Sequence, residues 1–190
     1  MQITLASASP RRKDLLDKIG LSYKVLPTEI DEAYFDDENP QKYIERMSKE
    51  KVRAVSKFIK SGLIIGADTI VTVDNRILGK PKNIEDAKEM LNLLSDREHV
   101  VMTSVTLLDV VHSKELTAFE ETKVVFYQLS SSKIENYLKT NEFYDKSGAY
   151  GIQGFGTLLI KEIHGTYDNV VGLPLGLLCK MLKSFNINII

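Results

Sequence analysis

LASASPRRKDLL, residues 5–16, turns from strand to helix within a few positions. Residues 3–6 form a short apolar strand that runs into small residues. Ser9 followed by Pro10 then reads as an N-cap and first helical position. The helix is expected over residues 10–19, with Gly20 as its C-terminal glycine. A strand followed at once by a helix sets the expectation of an α/β chain. Arg11, Arg12 and Lys13 fill the first helical turn, where the macrodipole is already positive. Each exposed cation there costs roughly 0.3–1 kcal/mol. An anion such as a phosphate would offset that cost, helped by the free N–H groups of the helix start and the Ser7 and Ser9 hydroxyls. Arginines that point into water, or that pair with the acids of TEIDE (residues 28–32), are the other readings of the same charges. The stretch matches neither GxxxxGK[ST] nor GxGxxG, so neither nucleotide fold is implied by it.

The whole chain sets the outer bounds. Its 190 residues suffice for one domain with a sizeable core, or one domain folded as two lobes. An apolar fraction of 43% and a charged fraction of 27% are those of an ordinary globule. Net charge −1 excludes a general polyanion-coating protein and requires any positive patch to be local. The single cysteine, Cys179, lies in LGLLCKML and reads as a core residue. One cysteine allows no disulfide framework within the chain, as in a reducing cytosol. With no signal peptide or membrane-length apolar run, a cytoplasmic protein is expected.

Outward from the first helix, strands and helices continue to alternate. Residues 23–26 read as a second strand, followed by the acidic stretch TEIDEAYFDDENP. Pro40 opens a helix reaching about residue 60, with Tyr43, Ile44, Met47, Val52, Val55 and Ile59 as its apolar stripe. GLIIGADTIVTV (residues 62–73) is the most apolar strand, and DNR after it is a turn. Asn83 or Asp86 starts the helix IEDAKEMLNLL. HVVMTSVTLLDVV and ELTAFEETKVVFYQL flank the turn-like HSK and read as an antiparallel pair. Ser132 and Glu135 have capping-box spacing for a helix ending near Thr140. The loop KSGAYGIQGFG leads to the strand TLLIKEI, and a last helix covers residues 175–185. The expected fold is one α/β domain over residues 1–190 with a mixed sheet and flanking helices, because some crossovers are helical and at least one is a hairpin.

Four places carry candidate chemistry. The first is the opening loop. The second is Asp68, a carboxylate with apolar neighbours on both sides in a core strand, costly unless paired, coordinated or protonated. Gly66 and Ala67 remove side-chain bulk before it and permit a close approach to the backbone; Asp68 at a strand end, capping a turn, is the other reading. Third, Glu29, Asp31 and Glu32 offer oxygen ligands for Mg²⁺, or simply a solvated loop. Behind them Lys51 shares a helical face with Val55 and so lies near the core edge, and Lys80 precedes a proline in GKPK. Fourth, KSGAYGIQGFG combines four glycines, two aromatics and Gln153, suited to recognising a base or to forming a tight structural turn. His99, His112 and His164 are scattered, and neither a zinc site nor a Ser–His–Asp arrangement can be built from their spacing.

The collinear segments LASASPRRKDLL, TEIDE, RMSKEKV, IIGADTIV, GKPKN, AKEMLNLLSDREHVVMTSV, KSGAYGIQGFG and YDNVVGLPL cover essentially the whole chain. Together they resemble the Maf family of nucleoside triphosphate pyrophosphatases, first named for septum formation inhibition. The resemblance implies cleavage of a nucleoside triphosphate between its α- and β-phosphates, with a divalent metal cation, Mg²⁺ or Mn²⁺, as cofactor. It implies an elongated α/β fold of two lobes around a central cleft, similar to inosine triphosphate pyrophosphatases. The catalytic acid/base aspartate of the family falls on Asp68. The basic loop falls on Ser7, Arg11 and Arg12, the acidic motif on Asp31 and Glu32, the helix lysine on Lys51, and the lysine before proline on Lys80. Glu32 and Asp68 are the implied metal ligands. Three positions separate the subfamilies, and here they read Arg11, Thr69 and Gln153, as in members acting on dTTP and UTP. A neutral Gln153 suits the carbonyl and N3–H of thymine or uracil. Ser48 and Val52 depart from the alanines that relatives often carry beside the helix lysine.

Two other classes compete with the enzyme. A nucleotide-binding regulator of cell division would bind without turnover. An RNA-binding module is disfavoured by the net charge and by the lack of an RNP-like aromatic sheet. The expected partner is therefore a small-molecule nucleoside triphosphate, canonical or a modified pyrimidine harmful to nucleic acids. No stable nucleic-acid or membrane binding is expected. The apolar β-pair around residues 100–127 offers an edge for a homodimer.

Overall fold

A computed structural model describes residues 1–35 and 38–190; Asp36 and Asp37 of the acidic stretch lie outside the described residues. The elements are β1 (Ile3–Leu5), α1 (Pro10–Lys18), β2 (Lys24–Val25), α2 (Pro40–Ser56), β3 (Leu63–Val73), β4 (Arg76–Leu78) and α3 (Ile84–Leu94). They continue with β5 (Glu98–Asp109), β6 (Lys114–Phe126), α4 (Ser131–Leu138), β7 (Ile160–His164), α5 (Tyr167–Val171) and α6 (Leu175–Lys183). Two 3₁₀ segments, Ser147–Ala149 and Gly154–Leu159, occupy the glycine-rich stretch. The sheet is mixed, as expected. Its strand order is β2-β1-β3-β5-β6-β7, with β4 paired to β3.

The chain divides into two compact units. One comprises Met1–Asp68, Thr103–Glu120 and Gly172–Ile190; the other comprises Thr69–Met102 and Glu121–Val171. The division falls between Asp68 and Thr69, in the middle of β3.

In the first unit, β1 pairs in parallel with β2 and with β3, the latter in the register Ile3↔Leu63 to Leu5↔Ile65. Leu63, Ile64 and Ile65 are all fully buried, which explains the unbroken apolar run. Helix α2 packs here through Ile44, Met47, Ser48, Lys51, Val52 and Val55, spaced three and four apart. Val52 and Val55 join Ala6 and Ile64 in one apolar cluster. Burial of each of the Val52, Val55 and Ile64 side chains contributes about 1.5–3 kcal/mol. Asn39 caps α2, its side chain accepting from the Lys42 N–H at 2.8 Å.

In the second unit, β3 turns back on β4 through Asp74 and Asn75, at φ 51° and 59°. Two positive φ values are those of a tight hairpin turn. The sequence showed the DNR turn but not the three-residue strand after it. The core joins Val71, Leu91, Leu94, Val124, Phe126 and Phe143. β6 and β7 pair antiparallel, with a register shift at Val125 and Phe126.

Several expectations are corrected. Ser130, not Ser132, caps α4, accepting from the Lys133 N–H at 3.2 Å. Residues 157–159, expected as strand, belong to the 3₁₀ segment before β7. Helix α2 ends at Ser56 rather than near residue 60. Cys179 is half-buried, not a core residue, because α6 turns Leu178, Met181 and Leu182 inward instead. The expected β-pair holds: β5 and β6 are neighbours joined by residues 110–113, and so short a connection makes them antiparallel. Among the described residues, no helix is long and apolar enough to cross a membrane.

Candidate active site

Gly66 is where the site begins. A Cβ there would stand 2.6 Å from Val52 Cγ1 and 2.7 Å from the Ser48 carbonyl oxygen. What approaches the backbone at this glycine is therefore helix α2, and the approach delivers Lys51 to Asp68 two residues further along β3. The Lys51 Nζ donates to the Asp68 carboxylate, and the same ammonium is 3.4 Å from Glu32 Oε1. The Lys51 and Asp68 side chains are only 11% and 14% exposed, whereas Glu32 is 46% exposed. Asp68 thus belongs to a paired carboxylate cluster, not to a strand end capping a turn, since β3 continues to Val73.

Ser48, a polar residue beside the helix lysine, is accommodated. Its buried hydroxyl bonds to Ser104 Oγ at 2.9 Å and Thr106 Oγ1 at 2.8 Å, and donates to the Glu45 carbonyl at 3.0 Å. The buried hydroxyl is therefore not left unpaired.

The basic loop divides into two kinds of residue. Arg12 is buried, which overturns the reading of arginines simply pointing into water. Its Nε donates to the Gly172 carbonyl at 2.8 Å and its Nη1 to Ser7 Oγ at 3.1 Å. Ser7 Oγ also accepts the Ser9 N–H at 3.2 Å. Ser9 stands at the N-cap position of α1, but its hydroxyl makes no capping bond. Burial lowers the Arg12 pKa, Asp68 opposes that, Arg11 reinforces it and Glu32 opposes it. Arg11, Glu32 and Asp68 are therefore all close enough for their charges to act on Arg12. Arg11 and Lys13 are half-buried. Tyr43 lies under the same field: its pKa is pushed up to about 12, by burial first, then by the negative charges of Asp68 and Glu32.

Ser7, Arg11, Arg12, Glu32, Lys51 and Asp68 all fall in the first unit. Asp31 does not join them: its carboxylate accepts the Ala33 N–H at 3.0 Å in an exposed local turn. Thr69, Lys80 and Gln153 fall in the second unit, tied together by the glycine-rich loop. Ser147 Oγ donates to the Thr69 carbonyl at 3.1 Å, and the Gly148 N–H donates to the Gly79 carbonyl at 3.0 Å beside exposed Lys80. Gly148 has φ 69°, and a Cβ there would meet Val71 at 3.1 Å, so this glycine is required. Gln153 is half-buried, and its side chain makes no hydrogen bond among the described residues. The next two residues are held by Glu142, whose carboxylate accepts the Phe155 N–H at 3.0 Å and packs against Gly154. Neither Glu142 nor Ser147 announced itself in the sequence. Both act on backbone atoms, which leave no trace in residue spacing.

Among the described residues, no group of three or more His, Cys, Asp or Glu side chains is placed to hold a metal ion. The donor set nevertheless fits one. Glu32 and Asp68 bring two hard carboxylate oxygen donors to the Lys51 ammonium. A hard divalent cation takes one or two such carboxylates and fills its remaining positions with phosphate oxygens and water.

The chain is 46% identical over 190 residues to a dTTP/UTP pyrophosphatase of Clostridioides difficile, covering 100% of this chain and 98% of the relative. It is 47% identical over 189 residues to a dTTP/UTP pyrophosphatase of Ruminiclostridium cellulolyticum, covering 99% and 98%. A more distant likeness is to the solved Ham1 protein of Staphylococcus aureus, 14% identical over 66% of this chain and 72% of that one, with a TM-score of 0.48. The profile of the Maf-like proteins matches residues 2–185. From the basic loop to the last helix, the chain belongs to the Maf family.

Proposed function

We propose that this protein is a nucleoside triphosphate pyrophosphatase that hydrolyses dTTP and UTP to the monophosphate and pyrophosphate. The observation that carries the reading is the Lys51 ammonium held between Asp68 and Glu32, with buried Arg12 in the same field. The full-length relatives named dTTP/UTP pyrophosphatase support it.

In this mechanism the water oxygen bonds to the α-phosphorus and the α–β bridging bond breaks. The water proton passes to Asp68, acting as general base. Lys51 orients that carboxylate and, with Lys80, balances negative charge in the transition state. Arg11 and Arg12, at the start of α1 with Ser7, hold the phosphates, and the leaving pyrophosphate gains charge against them. Glu32 and Asp68 would hold the divalent cation, Mg²⁺ or Mn²⁺, which supplies charge neutralisation on the phosphate oxygens. Thr69 and the unengaged amide of Gln153 select the base, Gln153 offering a donor and an acceptor to the O4 and N3–H edge of a pyrimidine. The protein acts on this small molecule in the cytoplasm.

The test is pyrophosphate release, with Mg²⁺ or Mn²⁺, from dTTP, UTP, CTP, dATP, GTP and 7-methyl-GTP. Selective release from dTTP and UTP is expected. Release from 7-methyl-GTP instead would keep the reaction and refute the roles given to Arg11, Thr69 and Gln153. Binding without any turnover would leave the regulator as the better reading.

A further inference from the structure

Residues 29–35 have no regular secondary structure, yet Glu32 sits beside Lys51. Something other than a sheet or helix must hold it there. Two side chains of α2 do so through the main chain. The Tyr43 hydroxyl donates to the Glu32 carbonyl at 3.0 Å. Arg46 Nη2 donates to the Ala33 carbonyl, the next one along, at 2.8 Å. The Arg46 fork also grips Glu38, Nε to Oε1 at 2.8 Å and Nη2 to Oε2 at 2.7 Å. Its guanidinium carbon lies 4.3 Å from the Phe35 ring centroid and 5.5 Å from that of Tyr43. The Tyr34 and Tyr43 rings are tilted against each other at 5.7 Å. Tyr43 itself is buried, and the Glu38 side chain is only 9% exposed, so the two anchors of the cluster are shielded from solvent.

We propose that Tyr43 and Arg46 are positioning residues that fix the Glu32 carboxylate in the active site. Tyr43, Met47 and Lys51 follow one another at four-residue spacing on α2. The helix that presents the ammonium therefore also clamps the loop that presents its second carboxylate. Loss of the clamp lets Glu32, 46% exposed and outside any regular element, swing into solvent. The inference rests on the reading of Glu32 as part of the pyrophosphatase machinery.

The experiment is a double-mutant cycle on dTTP hydrolysis with Tyr43→Phe and Glu32→Gln, using enzyme in excess over nucleotide to follow slow variants. Removing one positioning hydrogen bond is expected to lower the saturating single-turnover rate constant by about five- to tenfold while the half-saturating enzyme concentration stays within about twofold. In the Glu32→Gln background, Tyr43→Phe should change the rate less than about twofold, since the group it positions is already gone. An equal loss in both backgrounds would show that Tyr43 acts through the general fold and overturn the proposal. Arg46→Met provides the second variant, with Arg46→Lys, which lacks the fork, failing to restore the rate. Amide hydrogen exchange on the intact protein gives a readout independent of turnover. Both Tyr43→Phe and Arg46→Met should speed exchange across residues 29–35 and leave α2 unchanged; unchanged exchange across residues 29–35 would overturn the clamp. A wild-type protein that releases no pyrophosphate would remove the underlying reading itself, which is distinct from an active protein with an additive cycle.

Discussion

Gly66 and Ser48 are in such close contact that a Cβ on the glycine would lie 2.7 Å from the Ser48 carbonyl oxygen. That contact seats α2 on β3, and Lys51, three residues after Ser48, meets Asp68, two residues after Gly66. The helix position and the Lys51–Asp68 ion pair therefore share one cause.

Gly66→Ala should accordingly damage stability and turnover together. The obstructing atoms are backbone and a β-branched side chain, neither able to yield cheaply. A cost of about 1–3 kcal/mol is expected, or a Tm lower by several degrees for a chain of this size. Thermal unfolding followed by circular dichroism measures it. An unchanged Tm with full activity would refute the packing argument.

Asp68→Asn keeps the shape of the side chain and removes its ability to accept the proton. Turnover should nearly vanish while nucleotide binding stays measurable by calorimetry. Retention of more than about a tenth of wild-type turnover would sink the assignment of Asp68 as general base.

Arg12→Lys preserves the charge but not the geometry. A lysine cannot reproduce both the Nε bond to the Gly172 carbonyl and the Nη1 bond to Ser7 Oγ. About a tenfold or larger rise in KM for dTTP is expected, with a lower Tm from the loss of these buried hydrogen bonds. Steady-state kinetics with a melting curve separate the two effects.

Gln153→Glu exchanges a neutral amide for a carboxylate that repels the O4 carbonyl of a pyrimidine and cannot donate to it. The ratio kcat/KM for dTTP and UTP should fall by about ten- to a hundredfold. Inorganic pyrophosphate binding should hardly move, since Gln153 touches no phosphate in this scheme.

His99 makes stability depend on pH. It is buried, with Nε2 2.6 Å from the Tyr150 hydroxyl and its ring edge-on to Phe126. Burial, its largest cause, lowers its pKa from 6.5 to about 4. The unfolded chain therefore binds the extra proton first. The stability contributed by the neutral ring is fully present above about pH 6.5 and is lost as pH falls towards 4, by about 3 kcal/mol. Urea midpoints measured between pH 7 and 4 should decline, and His99→Phe should flatten that decline. Identical slopes in both proteins would contradict it.

Much of this arrangement was legible in the order of residues. Ser9–Pro10 placed the first helix, the unbroken run LIIG placed the central strand, and a carboxylate inside it pointed to Asp68. The collinear motifs placed Lys51 and Arg12 in the same site. Less visible were β4, α5 and the 3₁₀ segments, which are short and take their conformation from positive-φ turns and neighbouring packing. Tyr43, Arg46, Glu142 and Ser147 were missed because each hydrogen-bonds to main-chain atoms far along the chain, and a carbonyl or N–H looks the same in every residue.

The sequence by itself determined the alternation of strands and helices, the family, and which side chains carry charge where a nucleotide's phosphates and base are expected to be read. Periodicity, capping residues and motif order are local properties, so they survive in one dimension. Only the tertiary structure decided that Arg12 is buried while Arg11 is half-buried, that Asp31 accepts the Ala33 N–H while Glu32 pairs with Lys51, and that Ser48 finds hydroxyl partners in β5. These outcomes depend on which distant backbone closes over each side chain, and that is set by packing across strands and helices whose separation in sequence carries no record of their contact.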